Sequence, residues 1–90
     1  EEYKYTPQEL TKLEQEYENF LNEFGRTRVT ANIILELAEL EALYINNLDK
    51  AIVLLDEMIK YPNVDKNVQA QAKLNLGDYY LIKGEVWEAT

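Results

Sequence analysis

The sequence predicts an all-α fold built from antiparallel helix hairpins. Apolar residues recur at three- and four-residue spacing along most of the chain, the period of a helix. Threonine, proline, glycine and asparagine stand at the ends of those stretches, where helices start and stop. The connections are only a few residues long, which forces successive helices antiparallel.

The first helix is expected over 7–24. Thr6 can cap it, Pro7 suits the first helical position, and Glu9 sits three residues after Thr6 to close a capping box. Leu10, Leu13, Tyr17, Phe20, Leu21 and Phe24 form a single apolar stripe, and Gly25 follows as the C-terminal cap.

The second helix, near 30–45, is apolar almost all round. Only Glu36, Glu39 and Glu41 interrupt Ile33, Ile34, Leu35, Leu37, Ala38, Leu40, Ala42, Leu43, Tyr44 and Ile45, so this helix must pack on more than one side. Asn46-Asn47 makes the turn, because asparagine tolerates left-handed backbone and caps the next helix.

The third helix runs over about 48–60. Leu48, Ala51, Ile52, Leu55, Met58 and Ile59 lie on one face, and Tyr61-Pro62 stops it. A loop from Asn63 to Asn67 leads to the fourth helix at about 66–83, with Val68, Ala72, Leu74, Leu76, Tyr79, Tyr80 and Ile82 as its apolar positions. Gly84 is expected to end that helix, and Glu85-Val86-Trp87-Glu88-Ala89 to open a fifth.

Ninety residues make one small domain, or a piece of a larger one, with a thin core that buries about 60–65% of the unfolded surface. No apolar run approaches the roughly 20 residues that span a membrane, so no direct membrane insertion is expected. The chain opens on Glu1-Glu2 without an initiating methionine, which predicts an excised segment. The net charge is −8, and residues 1–24 hold seven acids against Lys4 and Lys12. An acidic chain without a Lys/Arg stripe repels phosphate, which argues against nucleic acid and anionic membrane. With no cysteine, no disulfide is possible.

A shift of 38 residues lays the chain on itself. It carries Leu43 onto Leu81, Leu48 onto Val86, Ala51 onto Ala89 and Asn46 onto Gly84. The same shift carries Tyr17, Phe20 and Leu21 onto Leu55, Met58 and Ile59. Helix faces and turns agree together, which suggests a helix-hairpin repeat.

Leu76-Gly77, Tyr80 three residues on, Gly84 seven on and Ala89 twelve on resemble the tetratricopeptide repeat. Ala51, Leu55 and Pro62 resemble the second half of the preceding repeat. Lys73, Glu39 and Met58 depart from the usual tryptophan, glycine and small residue. The resemblance implies a short solenoid: an N-terminal helix over 1–25, a degenerate repeat over 29–62 and a truncated repeat over 66–90. It makes Gly77 a close-packing glycine and Gly84 a turn glycine of positive φ. The wording of residues 76–90 is also similar to a segment of large tetratricopeptide proteins of Bacteroides-type bacteria, which implies a cell-envelope or periplasmic setting, with the cytoplasm as the alternative.

The chain has no histidine, cysteine or serine, so it lacks the usual acid–base and nucleophilic groups, and no enzyme, metal or cofactor is expected. Glu14 and Glu18, and Glu36 and Glu39, are carboxylate pairs at helical spacing, read here as a solvated acidic face rather than an acid–base or di-metal site. Asn63-Val64-Asp65-Lys66-Asn67 alternates oxygen side chains like the start of a calcium loop. Val68 and Leu74 replace its glycine and closing glutamate, so the segment is a capped connection. Tyr17, Tyr44 and Tyr80 are expected to pack in the core or between repeats, with a ligand-stacking platform as the alternative.

The leading expectation is a protein–protein interaction module. In the tetratricopeptide family the first helix of each repeat lines a concave surface. By position the matching residues are Ile33, Glu36, Leu40, Leu43 and Tyr44, then Gln71, Leu74, Asn75, Asp78 and Ile82. Apolar and amide groups mixed in this way suit a peptide or protein partner. The runner-up is a purely structural segment that packs on neighbouring repeats or self-associates through an uncovered C-terminal end. A helical enzyme subdomain is a remote third.

Overall fold

The computed structural model describes the backbone of residues 6–89 and the side chains of residues 6–84. Expectations that fall on the side chains of Val86, Trp87 and Ala89 lie outside these residues. Every element described is helical: α1 Pro7–Phe24, α2 Ala31–Leu40, α3 Leu48–Met58 and α4 Lys66–Ala89. A short 3₁₀ turn, Arg28–Thr30, leads into α2, and a π turn, Glu41–Ile45, follows it.

The N-terminus of α1 forms as its sequence dictates. The Glu9 amide donates to Thr6 Oγ1 at 3.1 Å, and the Thr6 amide donates to Glu9 Oε1 at 3.0 Å. Two of the donors that every helix start leaves unpaired are thereby satisfied. At the other end Gly25 has φ 89° and ψ 168°, a conformation open essentially only to glycine. Its amide donates to the Leu21 carbonyl at 2.7 Å. The outer part of the α1 stripe is not buried. Phe20 and Phe24 are exposed, pairing with each other at 4.6 Å between ring centres, while Leu21 is buried in the core and Leu10, Leu13 and Tyr17 pack partly buried against it.

The central element is α2, which packs against α1, α3 and α4. That is why it is apolar on several sides. Ala31, Ile34, Leu37, Ala38 and Leu40 are buried, and they meet Ala51, Ile52, Leu54, Leu55 and Met58 of α3. From α4, Ala72, Leu76 and Tyr79 close the same core. Each large side chain buried here contributes about 1.5–3 kcal/mol.

Side-chain pairs fix the direction of the helices. Tyr17 reaches Glu36 while Glu14 lies beside Glu41, so α1 and α2 are antiparallel. Tyr80 reaches Asp56 while Lys83 reaches Asp49, so α3 and α4 are antiparallel too. Asn46 turns the chain at φ 68°, and Asn47 then caps α3 by accepting from the Lys50 amide. The loop before α4 is a capped connection: Asn63 has φ 63°, and Asp65 Oδ1 accepts from the amides of Asn67 and Val68.

Four expectations change. Helix α4 does not stop at Gly84 but runs without a break to Ala89, and no fifth helix begins there. Gly84 has no positive φ. Gly77 is exposed, and a Cβ built on it would meet nothing within 4 Å, so it is not a close-packing glycine. In the absence of a turn the helix hydrogen-bond ladder continues through both glycines, at the usual cost in conformational entropy. Finally Tyr79, not Tyr80, is the core tyrosine of this helix. Tyr80 is half-exposed, and its hydroxyl donates to Asp56 at 3.1 Å.

Candidate functional site

Two features lie along α1 and α2. The first is a knot of charge. Glu14 and Glu18 project one turn apart from α1, Glu41 begins the π turn after α2, and Lys50 stands in the first turn of α3. The Lys50 ammonium donates to Glu14 at 2.8 Å and to Glu18, and lies 3.1 Å from Glu41. The expected solvated acidic face is therefore wrong for Glu14 and Glu18, which turn inward toward a cation.

Glu41 has no exposed side-chain surface, and its carboxylate has no polar neighbours but the Lys50 ammonium and the Glu14 carboxyl among the described residues. Burial, with the neighbouring Glu14, pushes its carboxyl up to about 7 in spite of Lys50. Glu14 moves the other way, held below its usual value by hydrogen bonds to Glu41 and then to Lys50. Burial opposes the charge on Lys50, but its bonds to Glu14, Glu18 and Glu41 win and raise it. One oxygen from each of the three carboxylates lies within 4.8 Å of the others, a spacing that could hold a metal ion. The ammonium of Lys50 stands among them, in contact with all three, and supplies the positive charge such a group needs.

The second feature is a groove of about 320 Å³ between α1 and α2, lined by Leu13, Tyr17, Glu36, Glu39, Leu40 and Tyr44. Leu13 and Tyr17 come from the α1 stripe, one turn apart. Glu36 and Leu40 are four apart on one side of α2, and Tyr44 follows four residues later in the π turn. The Tyr17 hydroxyl donates to Glu36 Oε1 at 3.1 Å. Burial, then that bond, then the charges of Glu36 and Glu39 hold the Tyr17 hydroxyl above its ordinary pKa. Tyr79 of α4 is raised by burial and then by the charges of Glu39 and Asp78.

Of the ten residues matched by position to a concave surface, Glu36, Leu40 and Tyr44 meet in this groove. Ile33 is half-buried against the core and Leu43 is exposed. On α4, Gln71, Leu74, Asp78 and Ile82 are exposed along one flank. Asn75 is buried instead: its Oδ1 accepts from Gln71, and its Nδ2 has no partner. The sequence expectation missed Leu13 and Tyr17 as groove residues, because it placed the concave surface on the first helix of each repeat and not on the N-terminal helix. It also missed Lys50 altogether. Glu41 carried a readable signal: it falls three, four and seven residues after Ala38, Leu37 and Ile34, on the buried stripe.

Among the described residues, no helix is long and apolar enough to cross a membrane. Compared with protein families, with curated proteins and with solved structures, the chain matches none.

Proposed function

We propose that this protein is an interaction module that docks a peptide or protein segment in the groove between α1 and α2. The observation that carries the reading is the groove itself, a concave surface open to solvent with an apolar floor and two carboxylates. Leucines, tyrosines and carboxylates share its lining, and ligand sites combine apolar and aromatic surface with a few placed polar groups. The resemblance of residues 76–89 to a tetratricopeptide repeat supports the same reading, although Gly77 and Gly84 do not play the parts it implied. Nothing in the charge knot competes with it, because Lys50 and Glu41 are committed to each other.

The test is selection of displayed random peptides on the whole chain, followed by amide shift mapping of the survivors. Perturbations should centre on Leu13, Tyr17, Glu36, Leu40 and Tyr44. A selection that recovers only peptides mapping elsewhere, or none, overturns the proposal.

A second reading, a structural segment that packs on further helices, is favoured by one observation. Leu74, Tyr80, Leu81 and Ile82 of α4 are half or more exposed, or nearly so, within nine residues. Concentration-dependent sedimentation of the chain, relieved by Leu74→Gln together with Leu81→Gln, would support this reading. A monomer at all concentrations would remove it.

A further inference from the structure

The charge around the groove specifies what it would hold. Its lining contains two carboxylates and no basic side chain. Most other acids near the helix contacts already have a partner: Glu14, Glu18 and Glu41 meet Lys50, Asp49 meets Lys83, and Asp56 accepts from Tyr80. Among the described residues no cation pairs with Glu36 or Glu39. Glu36 accepts one hydrogen bond, from Tyr17, and an ionised carboxylate can accept about four. Both glutamates are exposed, on a chain of net charge −8.

Geometry points the same way. Glu36 and Glu39 are three apart on one helix, which places their Cβ atoms about 5–6 Å from each other. Two carboxylates at that spacing can bracket a guanidinium or ammonium. Beneath them Leu13 and Leu40 offer apolar surface for a methylene stem, the part of arginine and lysine that prefers to be covered. The rings of Tyr17 and Tyr44 line the same space, and a cation within about 6 Å of a ring face gains further attraction.

Resting on the docking reading above, we propose that the groove takes a basic segment of a partner protein, with one arginine or lysine stem on Leu13 and Leu40 and its charged head between Glu36 and Glu39. Arginine fits better than lysine, since its planar head can engage a carboxylate with two parallel bonds and stack on a tyrosine. A second copy of this chain is a poor occupant, because two bodies of charge −8 repel.

The experiment titrates the full chain with a short peptide of alternating arginine and leucine, and with the same peptide carrying citrulline for arginine. Citrulline keeps the shape and removes the charge. Amide shifts of the protein report the site. The arginine peptide should perturb 13–17 and 36–44 and bind roughly tenfold more tightly than the citrulline peptide, with an affinity that falls as salt rises. Glu36→Gln with Glu39→Gln should cost a similar factor. Glu23→Gln with Glu57→Gln, which removes the same charge from exposed sites elsewhere, should change affinity less than about twofold. Far-UV circular dichroism confirms that each pair of substitutions leaves the helices intact.

Equal binding of the citrulline peptide in the groove would overturn the charge assignment while leaving the docking reading in place. So would equal losses from the two double variants, which would mean that net charge alone attracts the peptide. Shifts confined to Glu14, Glu18 and Lys50, or a dimer that buries the groove, would overturn it as well. If displayed peptides map to the groove but the arginine peptide binds nowhere, this proposal falls alone.

Discussion

Glu41→Gln should make the protein more stable at pH 8 and leave it almost unchanged at pH 5. The reasoning begins with the site. A carboxylate with no exposed surface that faces a second carboxyl is costly to ionise, and the single ion pair to Lys50 does not offset the loss of water. The group therefore titrates at about 7 in the folded chain, against an ordinary value of 4.5. Because the folded value is raised, the stabilising contribution is complete below about 4.5 and is lost as pH rises through about 7.

The difference between those two values, at about 1.4 kcal/mol per unit, sets an upper limit of about 3 kcal/mol. Glutamine mimics the protonated acid, including a donor that can face Glu14, so it avoids the cost at high pH. The other charges facing the site are Glu14 and Glu18 from α1 and Lys50 from α3, and all three remain in the variant. Glu14 shifts in the opposite sense, so its contribution is lost on acidification and defines the acid limb of both profiles. Urea unfolding followed by circular dichroism at several pH values between 5 and 8 measures the gap. A gap of even 1 kcal/mol corresponds to about 4–8 °C in melting temperature for a domain of this size. Parallel profiles for the two proteins, or a variant weaker than the parent at pH 8, would refute the account of Glu41.

Three further outcomes follow from the backbone and the core. Gly77→Ala should raise stability by about 1 kcal/mol, measurable as a higher denaturation midpoint, because the site is helical and open. Gly25→Ala should instead lower it by about 1–3 kcal/mol through backbone strain alone, since a Cβ there meets no neighbour but the φ of 89° disfavours one. Leu55→Ala, at a fully buried position where α3 meets the core, should cost about 2–5 kcal/mol in the same assay.

Local signals carried most of the fold. The Thr6-Pro7 start, Glu9 and Gly25 placed α1 at its observed limits, because each acts within one turn of its own position. Asn46-Asn47 worked for the same reason. Gly84 misled because glycine ends some helices and merely weakens others, and the choice depends on whether a following segment has somewhere to pack. Gly77 misled for a different reason: close packing was imported with a resemblance, whereas the residue faces solvent. The groove was half legible. Helical spacing put Glu36, Leu40 and Tyr44 on one side of the expected second helix, but nothing local says that Leu13 and Tyr17 of α1 form the opposite wall. The charge knot was not legible as a whole, because its four members come from three elements and meet only after those elements pack.

That last property also has a kinetic side. Lys50 is 36 residues from Glu14 and 32 from Glu18, whereas the turn between α2 and α3 joins neighbours. Contacts across long stretches of chain wait for loop closure, so the α2–α3 hairpin can form before α1 is tied to it. The knot then acts as a fastening made after assembly. Interactions absent from the folding transition state leave the folding rate nearly untouched and slow the return journey. Among the contacts of the described residues, the lysine gripped by three acids is thus placed to govern how long α1 stays docked rather than how quickly it arrives.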